Sequence, residues 1–186
     1  MRKGLLLVPA VILIWGITLV VAAQQQPAPT ETQQQGVLSD TEKEFMSKAA
    51  EGNLFEVKAG KLAQDSATNS SVKQFGEKMV NDHSTANQEL QELARMKGVQ
   101  LPQQVQREKQ NLYDQLANAA REDFDKTYMD LMVRDHQEDV ANFQKQQAQT
   151  TDPELKAWIT KTLPVLRDHL QQAQLINQEL NAGQPE

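Results

Sequence analysis

The three histidines of this chain each directly follow an aspartate. The pairs are Asp82-His83, Asp135-His136 and Asp168-His169. Imidazole nitrogens bind transition metals and exchange protons near neutral pH, so these positions could carry metal-binding or acid–base chemistry. Each pair lies in a segment with helical apolar periodicity, where adjacent side chains point about 100° apart. An adjacent Asp-His pair is therefore not a catalytic dyad by itself, and a site must combine residues from different helices.

The rest of the composition removes several classes of chemistry. The 186 residues include no cysteine, which excludes disulfides, thiolate metal sites and a cysteine nucleophile. No serine lies in a nucleophile elbow and no glycine-rich phosphate loop is present, so the sequence favours a role that is not catalytic. A formal charge of −6 without a basic stripe argues against nucleic acid as a partner. Histidine, carboxylate and methionine side chains remain as candidate metal ligands.

The segments around the histidines are built from helix formers. Glutamine, alanine, leucine, glutamate and lysine dominate them, and strand-type alternation is absent from the sequence. We predict an all-α fold, a four-helix bundle with a short connecting helix between helices two and three. The predicted long helices cover residues 39–65, 71–97, 122–149 and 153–180, and the connecting helix covers 103–117. The first helix presents its inner stripe at Phe45, Ala49, Gly52, Glu56, Ala59 and Ala63.

Capping signals place the ends of these helices. Ser39 and Glu42 have the spacing of a capping box, in which each side chain bonds a backbone N–H of the other. Gly98 follows the second helix as a C-terminal cap, and Asp152-Pro153 is a strong start for the last helix. Pro164 falls inside that last helix, where it removes one backbone hydrogen bond, so we expect a kink.

Each long helix places a polar group near the middle of the bundle. At about 1.5 Å per residue, Glu56 and His83 reach a similar height in the first hairpin, as do His136 and His169 in the second. Asp135 is expected to point into the core and His136 towards its edge, so either one could represent its helix. Facing side chains at one level are how helical bundles build metal sites. The candidate metal ligands are Glu56, His83, Asp135, His136 and His169.

The residues that precede the histidines bear on which metal would bind. A ferritin-type di-iron centre needs Glu-x-x-His twice, but valine or leucine stands three residues before each histidine. Met79 and Met132 stand one helical turn before His83 and His136, and thioether with imidazole suits Cu(I). Methionines at core positions also simply fill space. Copper or another transition metal is therefore the cofactor that the sequence allows.

A second interpretation gives the same residues a structural role. The histidines would then pair with Glu56 or Asp135 in a buried polar network that joins the helices. Asp82 and Tyr128 would support that network. In this case the protein is an envelope stress or interaction module whose buried Asp/Glu/His network is purely structural.

The first 38 residues read as an export signal followed by a linker. Residues 1–23 combine basic Arg2 and Lys3, a nearly continuous apolar run, and small residues before a cleavage position at Gln24. The rival interpretation is an uncleaved membrane anchor over residues 5–23, which approach the length of a membrane span. Residues 24–38 are rich in Gln, Pro and Thr and are expected to be a disordered linker. The bundle domain would then cover residues 39–182.

Five ordered blocks along the chain resemble a known bacterial family. They are Phe45-Met46-x-x-Ala49-Ala50-x-Gly52-Asn53-x-x-Glu56, Met79-Val80-x-Asp82-His83-Ser84, Phe124-Asp125-x-x-Tyr128-Met129, Asp135-His136, and Leu163-Pro164-x-x-x-Asp168-His169. The pattern resembles the family catalogued as domain of unknown function 4142, often labelled as outer membrane proteins, and the likeness covers residues 39–180. One departure is Asn118-Ala119-Ala120, where such proteins often carry a glycine-containing turn.

The resemblance implies a ferritin-like helical bundle in the bacterial envelope, with no settled activity. Related ferritin-like envelope families include some that bind copper. The positions that match the family pattern are Glu56, Asp82, His83, Tyr128, Asp135, His136 and His169. Because the predicted helices are amphipathic, we expect a soluble periplasmic protein that binds a transition metal through its central histidines.

Overall fold

The computed structural model describes residues 37–182, which form five α-helices and no strand. The helices are α1 Asp40–Ser66, α2 Ser70–Lys97, α3 Arg107–Ala117, α4 Arg121–Gln149 and α5 Pro153–Ala182. The prediction of an all-α bundle with a short connecting helix is confirmed. The connecting helix begins later than residue 103, because the chain before it crosses to α1, where the backbone N–H of Gln106 donates to Glu51 at 2.7 Å. The predicted signal and most of the predicted linker lie outside the described residues.

The capping signals operate at the helix ends as the sequence predicts. The hydroxyl of Ser39 accepts from the backbone N–H of Glu42 at 3.2 Å, and the Glu42 carboxylate accepts from the backbone N–H of Ser39 at 2.8 Å. Gly98 ends α2 in the left-handed conformation, with φ of 68°. Asp152 accepts from the backbone N–H of Leu155 at 2.9 Å at the start of α5. Helix α5 then continues through Pro164 to Ala182.

The four long helices form a ring in the order α1, α2, α5, α4. The start of α1 lies beside the end of α4, and its end lies beside the start of α4, so these two helices are antiparallel. Helices α2 and α4 therefore run in the same direction on opposite corners of the ring. Residues 98–120 must consequently cross the length of the bundle, and α3 lies on this crossover against α1 and α4. One long crossover is the connectivity of ferritin-like bundles.

Each hairpin of the bundle holds the turn of the other. Asp125 of α4 accepts from the backbone N–H groups of Thr68 and Asn69, in the α1–α2 turn, at 3.0 and 2.8 Å. Glu42 of α1 accepts from the hydroxyl of Thr150, in the α4–α5 turn, at 2.5 Å. The two carboxylates accept hydrogen bonds from polar groups of the turns that packing has buried. They therefore fix the position of one hairpin along the other.

Gly60 and Gly76 face each other where α1 packs on α2. A Cβ atom on Gly60 would lie 2.6 Å from the carbonyl oxygen of Gly76, and one on Gly76 would lie 2.8 Å from that of Gly60. No side chain fits between the two backbones, so the pair sets how closely the helices of the first hairpin approach.

The inner stripe of α1 differs in part from the prediction. Phe45 and Ala49 are only half-buried, whereas Met46 and Ala50 are fully buried. The buried face shifts because α1 packs against α2, α3 and α4 at once. The predicted residues from Gly52 onward are buried.

A polar layer divides the core into two apolar clusters. One cluster surrounds the α1–α2 turn and the other surrounds the α4–α5 turn. The first includes Phe55, Phe75, Met79, Phe124, Tyr128 and Met132, and the second includes Met46, Leu90, Phe143, Leu155, Trp158 and Ile159. Between them lie the buried polar side chains of Asn53, Glu56, His83, His136 and His169. This layer contains the residues that the sequence places at mid-bundle.

Candidate metal centre

The three histidines converge in the middle of the bundle from three different helices. His83 comes from α2, His136 from α4 and His169 from α5. One ring nitrogen from each lies within 4.8 Å of the other two. The side chains are 3%, 0% and 0% exposed, so the group is removed from water.

The outer nitrogen of each ring has a hydrogen-bond acceptor. His136 Nδ1 lies 3.0 Å from the backbone carbonyl of Met132, and His169 Nε2 lies 2.8 Å from the carboxylate of Asp82. Neither acceptor can donate a proton, so both of these ring nitrogens carry the hydrogen. His83 Nδ1 meets the amide oxygen of Asn53 at 2.9 Å in the same way. The rings of His136 and His169 are therefore held in the tautomers that leave their inner nitrogens with lone pairs, and His83 has the matching tautomer when its Nδ1 donates to the Asn53 oxygen.

The inner nitrogens face one another as acceptors. His136 Nε2 and His169 Nδ1 are 3.3 Å apart. His83 Nε2 is buried and has no hydrogen-bond partner among residues 37–182. Nitrogens bound to one metal at about 2.0–2.1 Å in tetrahedral or trigonal geometry are separated by about 3.3–3.6 Å. The closest pair already has this spacing, and the other pairs, which lie within 4.8 Å, would close by up to about 1.5 Å around an ion.

Burial keeps the three imidazoles neutral, which is the protonation state that binds metals. Desolvation lowers the pKa of His136 to about 4. Desolvation, followed by the charges of the other two rings, lowers the pKa of His83 well below its ordinary value. The pKa of His169 is also lowered, because its burial outweighs the opposing effect of the Asp82 carboxylate.

The side of the centre between α2 and α5 carries a charged pair. Lys78 donates to Asp82 at 2.9 Å and also lies 3.4 Å from Asp168. Burial opposes ionisation of Asp82, but hydrogen bonds from Lys78 and His169 lower its pKa overall. Ionised Asp82 therefore orients the ring of His169 and raises the basicity of its inner nitrogen. Asp168 is exposed and does not contact a histidine ring.

The two acidic candidates lie on the opposite side, away from the inner nitrogens. Glu56 is fully buried, and one of its oxygens lies 3.7 Å from the outer nitrogen of His136. Asp135 accepts a hydrogen bond from Lys109 of α3. Burial, followed by the charge of Asp135, raises the pKa of Glu56 well above its ordinary value. These two carboxylates form a separate buried pair under α3.

The remaining candidates line the first apolar cluster. Met79 and Met132 are fully buried there, and Met132 meets His136 through its backbone carbonyl. The ring of Tyr128 lies between Phe124 and Phe75, with ring centroids 6.1 and 6.3 Å away. Burial, and then the charge of Glu56, raises the pKa of its hydroxyl. Phe75 also lies 6.4 Å from the rings of both His136 and His169, so it is the aromatic cover of the centre.

Sequence reasoning missed four features of this centre. His136, rather than Asp135, faces the central histidines, and Asp82 pairs with His169 across the bundle, a partner that the sequence did not indicate. Asn53 was not singled out, although it lies three residues before Glu56 and so shares its face of α1. Lys109 carries no sequence signal, because it is one of many charged residues on a polar connecting helix.

Comparisons with known proteins agree with this fold. A family model described as "Domain of unknown function (DUF4142)" matches residues 27–176. The structure is similar to the crystal structure of a DUF305 fragment from Deinococcus radiodurans, with a TM-score of 0.69 and 11% identity over 77% of this chain and 99% of that chain. At that identity the likeness shows the fold alone. No curated protein matches the sequence. None of the helices between residues 37 and 182 combines the length and hydropathy that a membrane span requires.

Proposed function

We propose, from the premise that this chain belongs to the DUF4142 family, that it is an exported helical-bundle protein that binds one transition-metal ion. The ligands are the inner nitrogens of His83, His136 and His169. The family description leaves the function open, so the support comes from this chain's own geometry. The observation that carries the proposal is the 3.3 Å approach of two ring nitrogens that both have lone pairs.

This approach is hard to explain in a purely structural network. Such a network places a donor against each acceptor, but here the donors of His136 and His169 are directed outward to Met132 and Asp82. A buried polar group without a partner costs about 1–3 kcal/mol. A cation between the three rings removes that cost, because all three lone pairs then have a partner.

The chain's other residues hold the rings rather than act on a substrate. Asn53, the Met132 carbonyl and Asp82 each fix one ring through its outer nitrogen. Within residues 37–182, the group of convergent ligands contains no carboxylate that could serve as an acid or base beside the ion. The arrangement therefore supports metal binding without catalysis.

Metal content tests this proposal directly. The purified full chain, stripped with chelator, is dialysed against Cu(I), Zn(II) or Fe(II) and its bound metal is measured. We expect one ion per chain, lost in His83→Ala and in His169→Ala. Gln171→Ala is the matched control, because Gln171 is exposed and uncharged and lies on the same helix two residues after His169. Absence of bound ion, with both histidine variants still less stable, would instead support an envelope stress or interaction module with a structural network.

Export is the second part of the proposal. Residues 1–23 have the charge, apolar run and small-residue ending of a cleaved signal, followed by a linker to residue 38. Mass spectrometry of the chain recovered from a bacterial periplasm should find Gln24 at the N-terminus. An intact chain in the membrane fraction would instead support an anchor over residues 5–23.

A further inference from the structure

The donor set of the metal centre brings no negative charge of its own. Its three ligand atoms are nitrogens of neutral imidazoles, and the chain has no cysteine to add a thiolate. Asp82 and Glu56 lie at the outer nitrogens of His169 and His136, so neither carboxylate reaches the ion position. The charge of a bound ion must therefore be balanced from outside the ligands.

The surroundings supply about one negative charge. Asp82 is the carboxylate that is hydrogen-bonded to a ligand ring, and Lys78 is shared between Asp82 and Asp168. These three groups together carry one net negative charge. Asp135 is already paired with Lys109, and beside them burial, followed by the charge of Asp135, raises the pKa of Asp139 to about 7. Glu56 is fully buried 3.7 Å from the outer nitrogen of His136, on the side of that ring away from the ion position.

Because the centre is buried, the balance between the charge of the ion and the charges around it affects strongly which ions bind. The free energy of moving an ion from water into a low-dielectric interior rises with the square of its charge, so a divalent ion costs about four times as much as a monovalent one. The histidines are 0–3% exposed, and Phe75 covers two of them. Zn(II) held by three histidines takes a water as its fourth ligand, and the burial of all three rings disfavours a water at this position.

We infer that the centre selects a monovalent closed-shell ion, Cu(I) or Ag(I), over divalent transition metals. The inference rests on the proposed metal-binding function and names the class of ion. Three neutral imidazoles suit the low coordination number of these ions, and the single net charge around Asp82 balances theirs.

Cu(I) and Zn(II) provide the test, because they have the same electron count and differ by one charge. Their affinities for the full chain are measured by competition with chelators of known affinity, under reducing conditions, with Ag(I) as a probe that does not change oxidation state. We expect Cu(I) and Ag(I) to bind at least about a hundredfold more tightly than Zn(II). Equal or tighter binding of Zn(II) overturns the inference but leaves the proposed function standing, whereas the absence of these three ions and of Fe(II) from the chain overturns both.

Two variants locate the origin of the selectivity. His83→Glu places a negative charge among the ligands, so the preference for Cu(I) over Zn(II) should fall by about tenfold or more. Glu56→Gln removes the carboxylate that could otherwise supply a second charge, and its selectivity should match that of the unaltered chain. Loss of Zn(II) binding in Glu56→Gln, with Cu(I) binding kept, would show that Glu56 balances a divalent ion and would contradict the inference. The Glu56→Gln result decides this even where His83→Glu does not fold.

Discussion

Glu42 connects the start of α1 to the turn between α4 and α5. Its carboxylate accepts from Ser39 in the capping box, from the hydroxyl of Thr150 at 2.5 Å, and from the backbone N–H groups of Thr151 and Asp152 at 3.2 and 3.3 Å. Burial would raise its pKa, but these hydrogen bonds outweigh burial and lower the pKa to about 2. The ionised form is therefore the one that holds the two segments together.

This lowered pKa predicts an acid-dependent loss of stability. A carboxyl whose pKa falls from 4.5 in the unfolded chain to about 2 in the folded one stabilises the fold above pH 4.5. That contribution, about 3 kcal/mol, is lost as the pH falls from about 5 to 2. Denaturant unfolding across this range should show a smaller pH dependence for Glu42→Gln than for the unaltered chain. Equal slopes for the two proteins would mean that Glu42 is not the group responsible.

The three Asp-His pairs show which properties of single residues can be predicted from the sequence. Mid-bundle placement of the histidines follows from helical spacing, because every pair lies on a predictable stripe. The partners do not follow, since they depend on which neighbouring helix faces each aspartate. Asp82 meets His169, Asp135 meets Lys109, and Asp168 stays exposed. One dipeptide thus has three different roles.

At the scale of helices, the backbone contact between Gly60 and Gly76 sets the first hairpin. Gly60→Ala or Gly76→Ala places a methyl group within 3 Å of a backbone carbonyl, so we expect a loss of about 1–3 kcal/mol in the free energy of unfolding. Gly52→Ala is the matched control on the same helix, because the nearest atom to its added Cβ lies 3.9 Å away. Relief of the helical cost of glycine should stabilise that variant by up to about 1 kcal/mol. Chemical denaturation measures all three, and similar effects at Gly52 and Gly60 would contradict the close approach.

Helix ends were predictable and helix neighbours were not. Ser39, Gly98 and Asp152 act locally, so their capping roles could be read from a few adjacent residues. The inner face of α1 differs from the prediction because α1 has three helical neighbours. Apolar periodicity predicts that a helix has a buried face, but it does not identify the helices that pack against that face. Helix α3 lies over α1 and α4, where Lys109 pairs with Asp135. This pairing could not be predicted, because Lys109 is one of several charged residues on a polar helix.

At the scale of the whole molecule, the polar layer separates two apolar clusters that would otherwise form one core. Its histidines come from α2, α4 and α5, so an ion held by them joins the first hairpin to the second. The inner ring nitrogens of this layer lose their hydrogen bonds to water on folding and gain no donor in the metal-free bundle. These unsatisfied acceptors lower the stability of the metal-free bundle. Stability and metal binding are therefore coupled through the same three side chains.

This coupling predicts that the metal ion raises the thermal midpoint of the entire bundle. An ion that binds only the folded chain adds about 2.7 kcal/mol at a free concentration one hundred times its dissociation constant. For a domain of this size that corresponds to a rise of roughly 5–10 °C. The midpoint should increase with the logarithm of free ion concentration in the unaltered chain and in Gln171→Ala. In His169→Ala it should not respond, since the ion has lost a ligand from α5. An equal rise in His169→Ala would place the stabilising ion elsewhere on the molecule and separate metal binding from the histidine layer.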